Sequence, residues 1–208
     1  MDIQQAYDSW AAQYDENKNN TRDLEAVALR ATLAHVQFNN CLEIGCGTGK
    51  NTEWLLTKAE QVSAVDFSSK MLEKARQKIT SAKVTFHQAD VTEEWRFAQR
   101  QYDLVTFSLV LEHIEDLGAI LSKASRAVAP KGMVYIGELH PYKQYQGTKA
   151  RFDTVAGQQV LTCYRHDLSD FTKAATTHGF SIENIDEYFD DADRASLPRI
   201  LALLLRKR

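Results

Sequence analysis

The run from Cys41 to Lys50, Cys-Leu-Glu-Ile-Gly-Cys-Gly-Thr-Gly-Lys, carries the densest chemical signal in this chain. Glycines alternate at 45, 47 and 49, directly after a short apolar stretch that holds Glu43, and helix-forming sequence follows. Glycine has no Cβ, so such a loop takes positive φ and lets a ligand lie against bare backbone. The loop amides and the N-terminus of the next helix then face that ligand. A second apolar run, Val62 to Val65, ends in Asp66. That is the spacing, roughly 20 residues on, at which a carboxylate takes a ribose diol. An ionised Asp is an acceptor-only group, which suits two hydroxyl donors. Together these residues point to a cofactor that contains adenosine.

The order of the glycines says which kind. A dinucleotide site uses G-x-G-x-x-G, with the glycines serving pyrophosphate approach and helix packing. Here the order is acid-x-G-x-G-x-G, with the acid inside the strand end. A carboxylate there would repel a pyrophosphate, whereas it suits a cationic ammonium and sulfonium tail. A nicotinamide dehydrogenase is therefore disfavoured. The run resembles motif I of the class I methyltransferases that use S-adenosylmethionine, and the resemblance extends over most of the chain.

The resemblance implies roles for particular residues. Glu43 holds the place of the acid near the cofactor's amino group, and Gly45, Gly47 and Gly49 form the loop beneath it. Asp66 matches the ribose-binding acid, with Phe67 and Met71 flanking the adenine; Met71 also fits the apolar stripe of a helix. Asp90 stands where the adenine amino group is received and Val91 where a backbone amide meets a ring nitrogen, although Asp90 is equally a residue type that caps loops. Ser108 opens the segment after the fourth strand, and His113 in its Glu-His pair is the candidate proton acceptor, with a packed and inert histidine as the alternative. A related quinone-biosynthesis branch holds magnesium through a third residue, and here that place is Leu109, which cannot ligate. Tyr7-Asp8-Ser9-Trp10-Ala11-Ala12-Gln13-Tyr14-Asp15 resembles the Y-D-x-x-A-x-x-Y-D opening of many small-molecule methyltransferases. It implies a lid helix within residues 1–20 that sets Trp10 and Tyr14 over the methionine end.

The elements that must position these groups follow from pattern. Ile3, Ala6, Tyr7, Trp10, Ala11 and Tyr14 fall at helical spacing, and a second helix is expected over Arg22 to His35, capped by Thr21, with Leu24, Val27, Ala28 and Ala31 inward. Strands are expected to Ile44 and over Gln61–Asp66, Val84–His87, Tyr102–Phe107 and Met133–Gly137. Between them lie helices over Lys50–Lys58, after Ser68 and after Asp116, the last stopped by Pro130. Such alternation means βαβ units and a parallel sheet. A helix over Asp167–His178 precedes two strands, Phe180–Glu187 and Pro198–Leu205, whose short link makes them antiparallel. The acidic stretch Asp186–Asp193 between them reads as a solvated turn. The fold class is thus α/β, a Rossmann-like class I methyltransferase fold. Its seven-stranded, mostly parallel sheet has one antiparallel strand and helices on both faces. All 208 residues read as one domain.

Residues 138–166 follow the fifth strand at the ligand edge and form a cover segment, with a small hairpin expected around Ala156-Gly157. Its aromatic and basic groups make His140, Tyr142, Arg151 and Tyr164 the candidates for holding the acceptor; a solvated cover loop is the alternative. Apolar residues make up 44% of the chain and charged ones 25%, as in an ordinary globular protein. The net charge of −3 gives no footprint for nucleic acid, and no apolar run reaches the length of a membrane span. Three cysteines without C-x-x-C spacing argue against a disulfide frame or a zinc site, and an acidic, polar N-terminus is unlike a secretory signal. A cytoplasmic enzyme that methylates a small molecule is the expectation, with no metal, no nucleic acid and no membrane; the sequence assigns no oligomeric state. A protein or nucleic-acid acceptor, or a catalytically silent cofactor-binding module, are the other readings.

Overall fold

Strands that were expected at five places along the first two thirds of the chain all form, and they pair in parallel. In the computed structural model, which describes residues 3–16, 18–154, 157–191 and 194–208, they are β1 (Asn40–Ile44), β2 (Gln61–Asp66), β3 (Val84–Gln88), β4 (Tyr102–Ser108) and β5 (Val128–Leu139). Two more, β8 (Phe180–Tyr188) and β9 (Ile200–Lys207), complete a seven-stranded sheet of order β3-β2-β1-β4-β5-β9-β8. β9 runs antiparallel to both its neighbours, β5 and β8, and is the one reversed strand. Its Ile200–Leu205 run is buried throughout, as a strand covered on both faces must be.

Helices cover both faces. On one side α2 (Asn20–Thr32), α3 (Lys50–Leu55) and α4 (Ser69–Lys78) place Ala28, Leu29, Leu55 and Leu72 against Cys41, Ala64, Leu104 and Tyr135. On the other, α5 (Leu117–Ala127) and α7 (Leu168–Thr177) place Ile120, Leu121, Ala124, Phe171 and Ala175 against Leu42, Ile44, Val105 and Phe107. Neighbouring strand residues thus face opposite cores, the period of two that a pleated strand imposes. Ser68 and Asp116 cap α4 and α5, each accepting a backbone N–H of the first turn, and Asp167 opens α7 with its own N–H donated to Asp170 Oδ2 at 2.9 Å.

Four local expectations are corrected. α2 begins earlier than the sequence suggested, because Asn19 and not Thr21 caps it, accepting the Arg22 N–H at 3.0 Å. The inward face of α2 is Glu25, Ala26, Ala28 and Leu29, so Ala28 is inward as expected while Val27 and Ala31 are exposed. The N-terminal helix α1 spans only Ile3–Trp10, and the chain then turns through residue 16. β5 starts at Val128 instead of Met133: Pro130, Lys131 and Gly132 form a bulge, with Lys131 at φ 64°, where the register against β4 jumps from Tyr102 to Leu104. The acidic stretch after Asp186 is partly strand, since β8 runs to Tyr188, and Asp190 is tied to Arg199 and Lys143; Ala192 and Asp193 lie outside the described residues.

The cover segment holds α6 (Pro141–Tyr145) and a hairpin of β6 (Arg151–Thr154) with β7 (Gly157–Val160). Val155 and Ala156 at its tip lie outside the described residues. After the hairpin, Leu161 packs on Ala6 and Trp10, so the cover segment and α1 share a small apolar cluster of their own. Cys41, Cys46 and Cys163 are free. Among the described residues no helix is long and apolar enough to cross a membrane.

Candidate functional site

The carboxyl ends of β1, β2, β3 and β4 open on a cleft, the place where open α/β sheets hold ligands. The loop after β1 is shaped by positive φ at Gly45, Gly47 and Gly49 (73°, 53° and 84°). Gly45 and Cys46 donate their N–H groups to the Val65 carbonyl at 2.8 and 3.0 Å, which pins the loop to β2. The glycines differ in what surrounds them. A Cβ on Gly45 would collide with Val110, and one on Gly49 would press on Ile79, but one on Gly47 would meet nothing within 4 Å. Gly47 therefore presents bare backbone to open cleft, while Gly49 serves as the left-handed entry to α3 and does not line the cleft.

Asp66, at the end of β2, is buried and accepts the Gly47 N–H at 2.8 Å and the Ser68 N–H at 2.9 Å. Burial pushes its carboxyl up to about 6, and those two amides oppose the shift. Beside it, Phe67, Met71, Asp90, Val91, Ser108 and His113 line the same cleft, together with Gly45, Gly47 and Tyr14. Met71 is also fully buried, so it serves both the helix core and the wall. Asp90 takes the capping use as well: its Oδ1 accepts the Thr92 N–H at 2.8 Å and the Thr92 hydroxyl at 2.7 Å.

Glu43 sits one layer deeper. Thr52 donates its hydroxyl to Glu43 Oε2 at 2.5 Å, and burial, with Glu25 and Asp66 nearby, pushes the Glu43 carboxyl up to about 8. Glu25, supplied by α2, is buried too and accepts from Asn51 Nδ2 at 2.9 Å and the Tyr135 hydroxyl at 3.2 Å. A second opening joins this end of the cleft, lined by Glu43 and Glu25 on one hand and by Arg22 and Lys50 on the other. The Arg22 guanidinium donates to the Tyr14 carbonyl and lies 4.7 Å over the Tyr14 ring. Sequence reasoning singled out neither Glu25 nor Arg22; a helix read only for its apolar stripe hides an inward acid.

α1 lies across the cleft. Gln4 Nε2 donates to the Phe67 carbonyl at 3.0 Å, and Asp8 Oδ1 accepts from the Ser68 hydroxyl at 2.6 Å and from the Lys70 N–H at 3.1 Å. Farther on, Asp15 accepts from the Thr48 hydroxyl at 2.7 Å. Tyr7 and Trp10 pack at a tilt of 31° with centroids 5.8 Å apart, and Trp10 meets Tyr14 edge to face at 4.8 Å. His113 follows β4 on a single 3-10 turn, Leu111–His113. Its Nδ1 lies 3.1 Å from the Thr162 carbonyl, to which it can only donate. In the neutral ring Nε2 then carries the lone pair and accepts the Tyr7 hydroxyl at 2.8 Å. Tyr7, whose phenol burial raises well above its ordinary range, thus lines the cleft beside His113 and is bonded to it. The Y-D opening contained it, but its aromatic spacing marked it as core.

Beyond Leu109 a second cleft opens. It is walled by Tyr7, Trp10 and Tyr14 and bordered by Lys149, Arg151 and Glu112. Leu109 itself sits at φ 57°, in a left-handed conformation that is uncommon for a branched side chain and is found mostly where surroundings enforce it. Of the four residues expected to hold an acceptor, only Arg151 lines this cleft. His140 is buried and caps α6, its Nδ1 accepting the Tyr142 N–H at 3.2 Å while Nε2 meets Glu187 at 3.1 Å. Burial lowers its pKa. Tyr142 is exposed and packs on the His140 ring at 4.7 Å. Tyr164 donates its backbone N–H to the Glu112 carbonyl at 2.7 Å and lines neither cleft. Pro141 explains the difference for the first two: it starts a helix at once, and His140 becomes its cap.

The family described as "Methyltransferase domain" matches residues 42–136. A ubiquinone biosynthesis O-methyltransferase of Hydrogenovibrio crunogenus is 31% identical over 113 residues, which cover 53% of this chain and 47% of that protein. A malonyl-[acyl-carrier protein] O-methyltransferase of Priestia megaterium is 28% identical over 157 residues, 73% of this chain and 52% of that protein. The chain thus spans about half the length of the curated relatives it matches. Among solved structures, the DhpI–SAH complex superposes with a TM-score of 0.78 at 26% identity, covering 98% of this chain and 94% of that one.

Proposed function

We propose that the chain is a class I S-adenosylmethionine-dependent methyltransferase and that it transfers the methyl group of S-adenosylmethionine to a small-molecule acceptor; the methyltransferase-domain match and the likeness to the DhpI–SAH complex support it. The observation that carries the reading is the mixed lining of the deep end of the cleft. Glu43 and Glu25 stand there with Arg22, which Tyr14 holds, and with Lys50, which Asp23 holds, and such a set suits a zwitterionic amino-acid tail: cations near its carboxylate, acid oxygens near its ammonium. A pyrophosphate would find two buried acid side chains in its way. The bare backbone at Gly47 and the Asp66 carboxylate serve the ribose, Phe67 and Met71 flank the base, and Asp90 and Val91 meet its polar edge.

When bound, the cofactor supplies an electrophilic methyl carbon on a sulfonium, and its transfer to an acceptor lone pair leaves the carbon–sulfur electron pair on sulfur. The protein's part is mainly alignment, which holds the reacting atoms in line. Tyr7, Tyr14 and Leu109 wall the junction of the two clefts and exclude water from it, while Trp10 lines the second cleft alone. An acceptor hydroxyl or amine must also lose a proton. Tyr7 can take it while passing its own to His113 Nε2, and the Thr162 carbonyl steadies the imidazolium through Nδ1. The three free cysteines support a cytoplasmic setting.

Two measurements test the reading. Calorimetry with S-adenosylhomocysteine should give a one-site isotherm, and labelled S-adenosylmethionine should pass its methyl to a member of a broad metabolite panel. Binding of the nucleoside without transfer to any acceptor would favour the silent cofactor-binding module. Tight NADH binding without affinity for the nucleoside would overturn the family function.

A further inference from the structure

The second cleft has a charge pattern opposite to that of the molecule. The chain carries a net −3, yet the side chains around this cleft include the cations Lys18, Arg22, Lys149, Arg151 and Arg199, with Glu112 as the acid among its described residues. Two of the cations are already engaged. Arg199 is held by Asp190 and by the Thr21 hydroxyl at 3.1 Å, and Arg22 is turned onto Tyr14. Lys18, Lys149 and Arg151 have no carboxylate within ion-pair distance among the described residues. They come from two segments far apart in sequence, the turn after α1 and the start of the hairpin. Solvated surface cations have no reason to converge on one concavity, because like charges repel there.

The residues around the cleft differ in depth: Lys149 and Arg151 are exposed, whereas Trp10, Leu139 and Glu112 are buried. Glu112 is buried, and its Oε2 has no hydrogen-bond partner. An acceptor oxygen left bare in that position calls for a donor and repels an anion. A ligand fitting both ends carries its negative group outward and an O–H or N–H inward.

We propose that the methyl acceptor is a small hydroxy or amino compound bearing an oxyanion, a carboxylate or a phosphate. The oxyanion is held by Lys149 and Arg151, and an O–H or N–H of the acceptor other than the proton lost to Tyr7 donates to Glu112 Oε2 beside Leu109. The proposal rests on the methyltransferase reading and deepens it. Arg151 gives the planar fork that suits carboxylate and phosphate, and Lys149 adds a point charge beside it. Trp10 and Tyr14 accommodate an apolar or aromatic body between the two polar ends.

The test uses the full chain loaded with S-adenosylhomocysteine, so that cofactor binding is measured first. A chain that binds none refutes the methyltransferase reading and takes this proposal with it. With the loaded chain, calorimetry compares 3-hydroxybenzoate with 3-hydroxybenzamide, a pair alike in shape and different in charge, and phenyl phosphate with phenol. The anion of at least one pair is expected to bind about tenfold more tightly than its neutral partner, ~1.4 kcal/mol, and the pair with the larger ratio identifies carboxylate or phosphate as the favoured head. Added salt should shrink the ratio. In the double variant Lys149→Gln with Arg151→Gln the ratio should fall to near one, with cofactor affinity within about threefold of the parent. Equal affinity for charged and neutral partners in both pairs overturns the proposal. So does a preference that survives the double substitution.

Discussion

Asp66 already accepts two backbone amides, yet each carboxylate oxygen has a further lone-pair site to offer a ribose hydroxyl. That use requires the ionised form. With its pKa at about 6, S-adenosylhomocysteine affinity should weaken as pH falls from 6 to 5, approaching a tenfold loss per pH unit by linkage, about 1.4 kcal/mol. Calorimetry on Asp66→Asn should give weaker binding that is flat across the same window; a pH-independent parent would remove the carboxylate from the site. Gly47 offers a second residue-level test. Any side chain at φ 53° is strained by about 1–2 kcal/mol, and more so if β-branched, so Gly47→Ala and Gly47→Met, both unbranched at Cβ, carry comparable strain and differ in bulk thrust into the cleft. The Met variant should bind the nucleoside at least about tenfold more weakly than the Ala variant, ~1.4 kcal/mol. Near-equal affinities would place the ligand elsewhere. The sequence made these two residues legible because backbone chemistry leaves little choice there: only glycine suits bare backbone, and only an acid takes a diol. It hid Glu25 and Arg22, since a charge that packs inward from an ordinary helix has no spacing signature.

α1 is held at both ends by polar contacts and in the middle by Tyr7, and its position decides whether the cofactor cleft is covered. Asp8 is the firmest tie to the body of the protein, bridging the Ser68 hydroxyl and the Lys70 amide. Asp8→Ala should raise the dissociation rate of S-adenosylhomocysteine several-fold in stopped-flow displacement while leaving thermal stability nearly unchanged, since α1 packs outside both main cores. An unaltered rate would show that α1 does not gate the cleft. Tyr7→Phe keeps the ring contacts with Trp10, Phe67 and His113 and removes the hydroxyl. If the acceptor loses a proton through this path, turnover should fall by about 10²-fold or more with cofactor affinity unchanged, and His113→Ala should do no worse in combination with it. The extent of α1 was overread from the sequence because the aromatic period continues to Tyr14 after the helix has ended; a stripe records which side is buried, and a turn can bury the same side. His140 was misplaced for a related reason, as a proline directly after a polar residue makes that residue a cap.

The sheet was the most legible part of the molecule, down to the single reversed strand, because apolar runs alternate with amphipathic helices along much of the chain and the link between the last two strands is too short for a helical crossover. The bulge in β5 escaped because Pro130 and Gly132 read as a helix stop and a turn, and a register jump leaves no mark in composition. Nor did sequence reveal how many acids the fold buries. Glu43 and Glu138 are held at about 8, against 4.5 ordinarily, in each case first by burial. Between those values the folded chain binds more protons than the unfolded one, so the stability these groups contribute is full below about pH 4.5 and is lost as pH rises to about 8. Glu43→Gln, whose amide oxygen still accepts from Thr52, should therefore gain in melting temperature relative to the parent as pH rises from 5 to 8; a difference that stays constant or reverses would mean Glu43 is ionised throughout. Across the whole molecule, one arrangement also bears on the kinetics. Tyr7 of α1 and Tyr14 beyond it are walls of both clefts, which predicts that the N-terminal segment moves to admit the methyl donor and returns before the acceptor has a complete place to bind. Turnover is then expected to follow a compulsory order, with the donor entering first and the demethylated nucleoside leaving last. That nucleoside should inhibit competitively against the donor and non-competitively against the acceptor, and its departure, tied to the swing of one eight-residue helix, would set the ceiling on kcat.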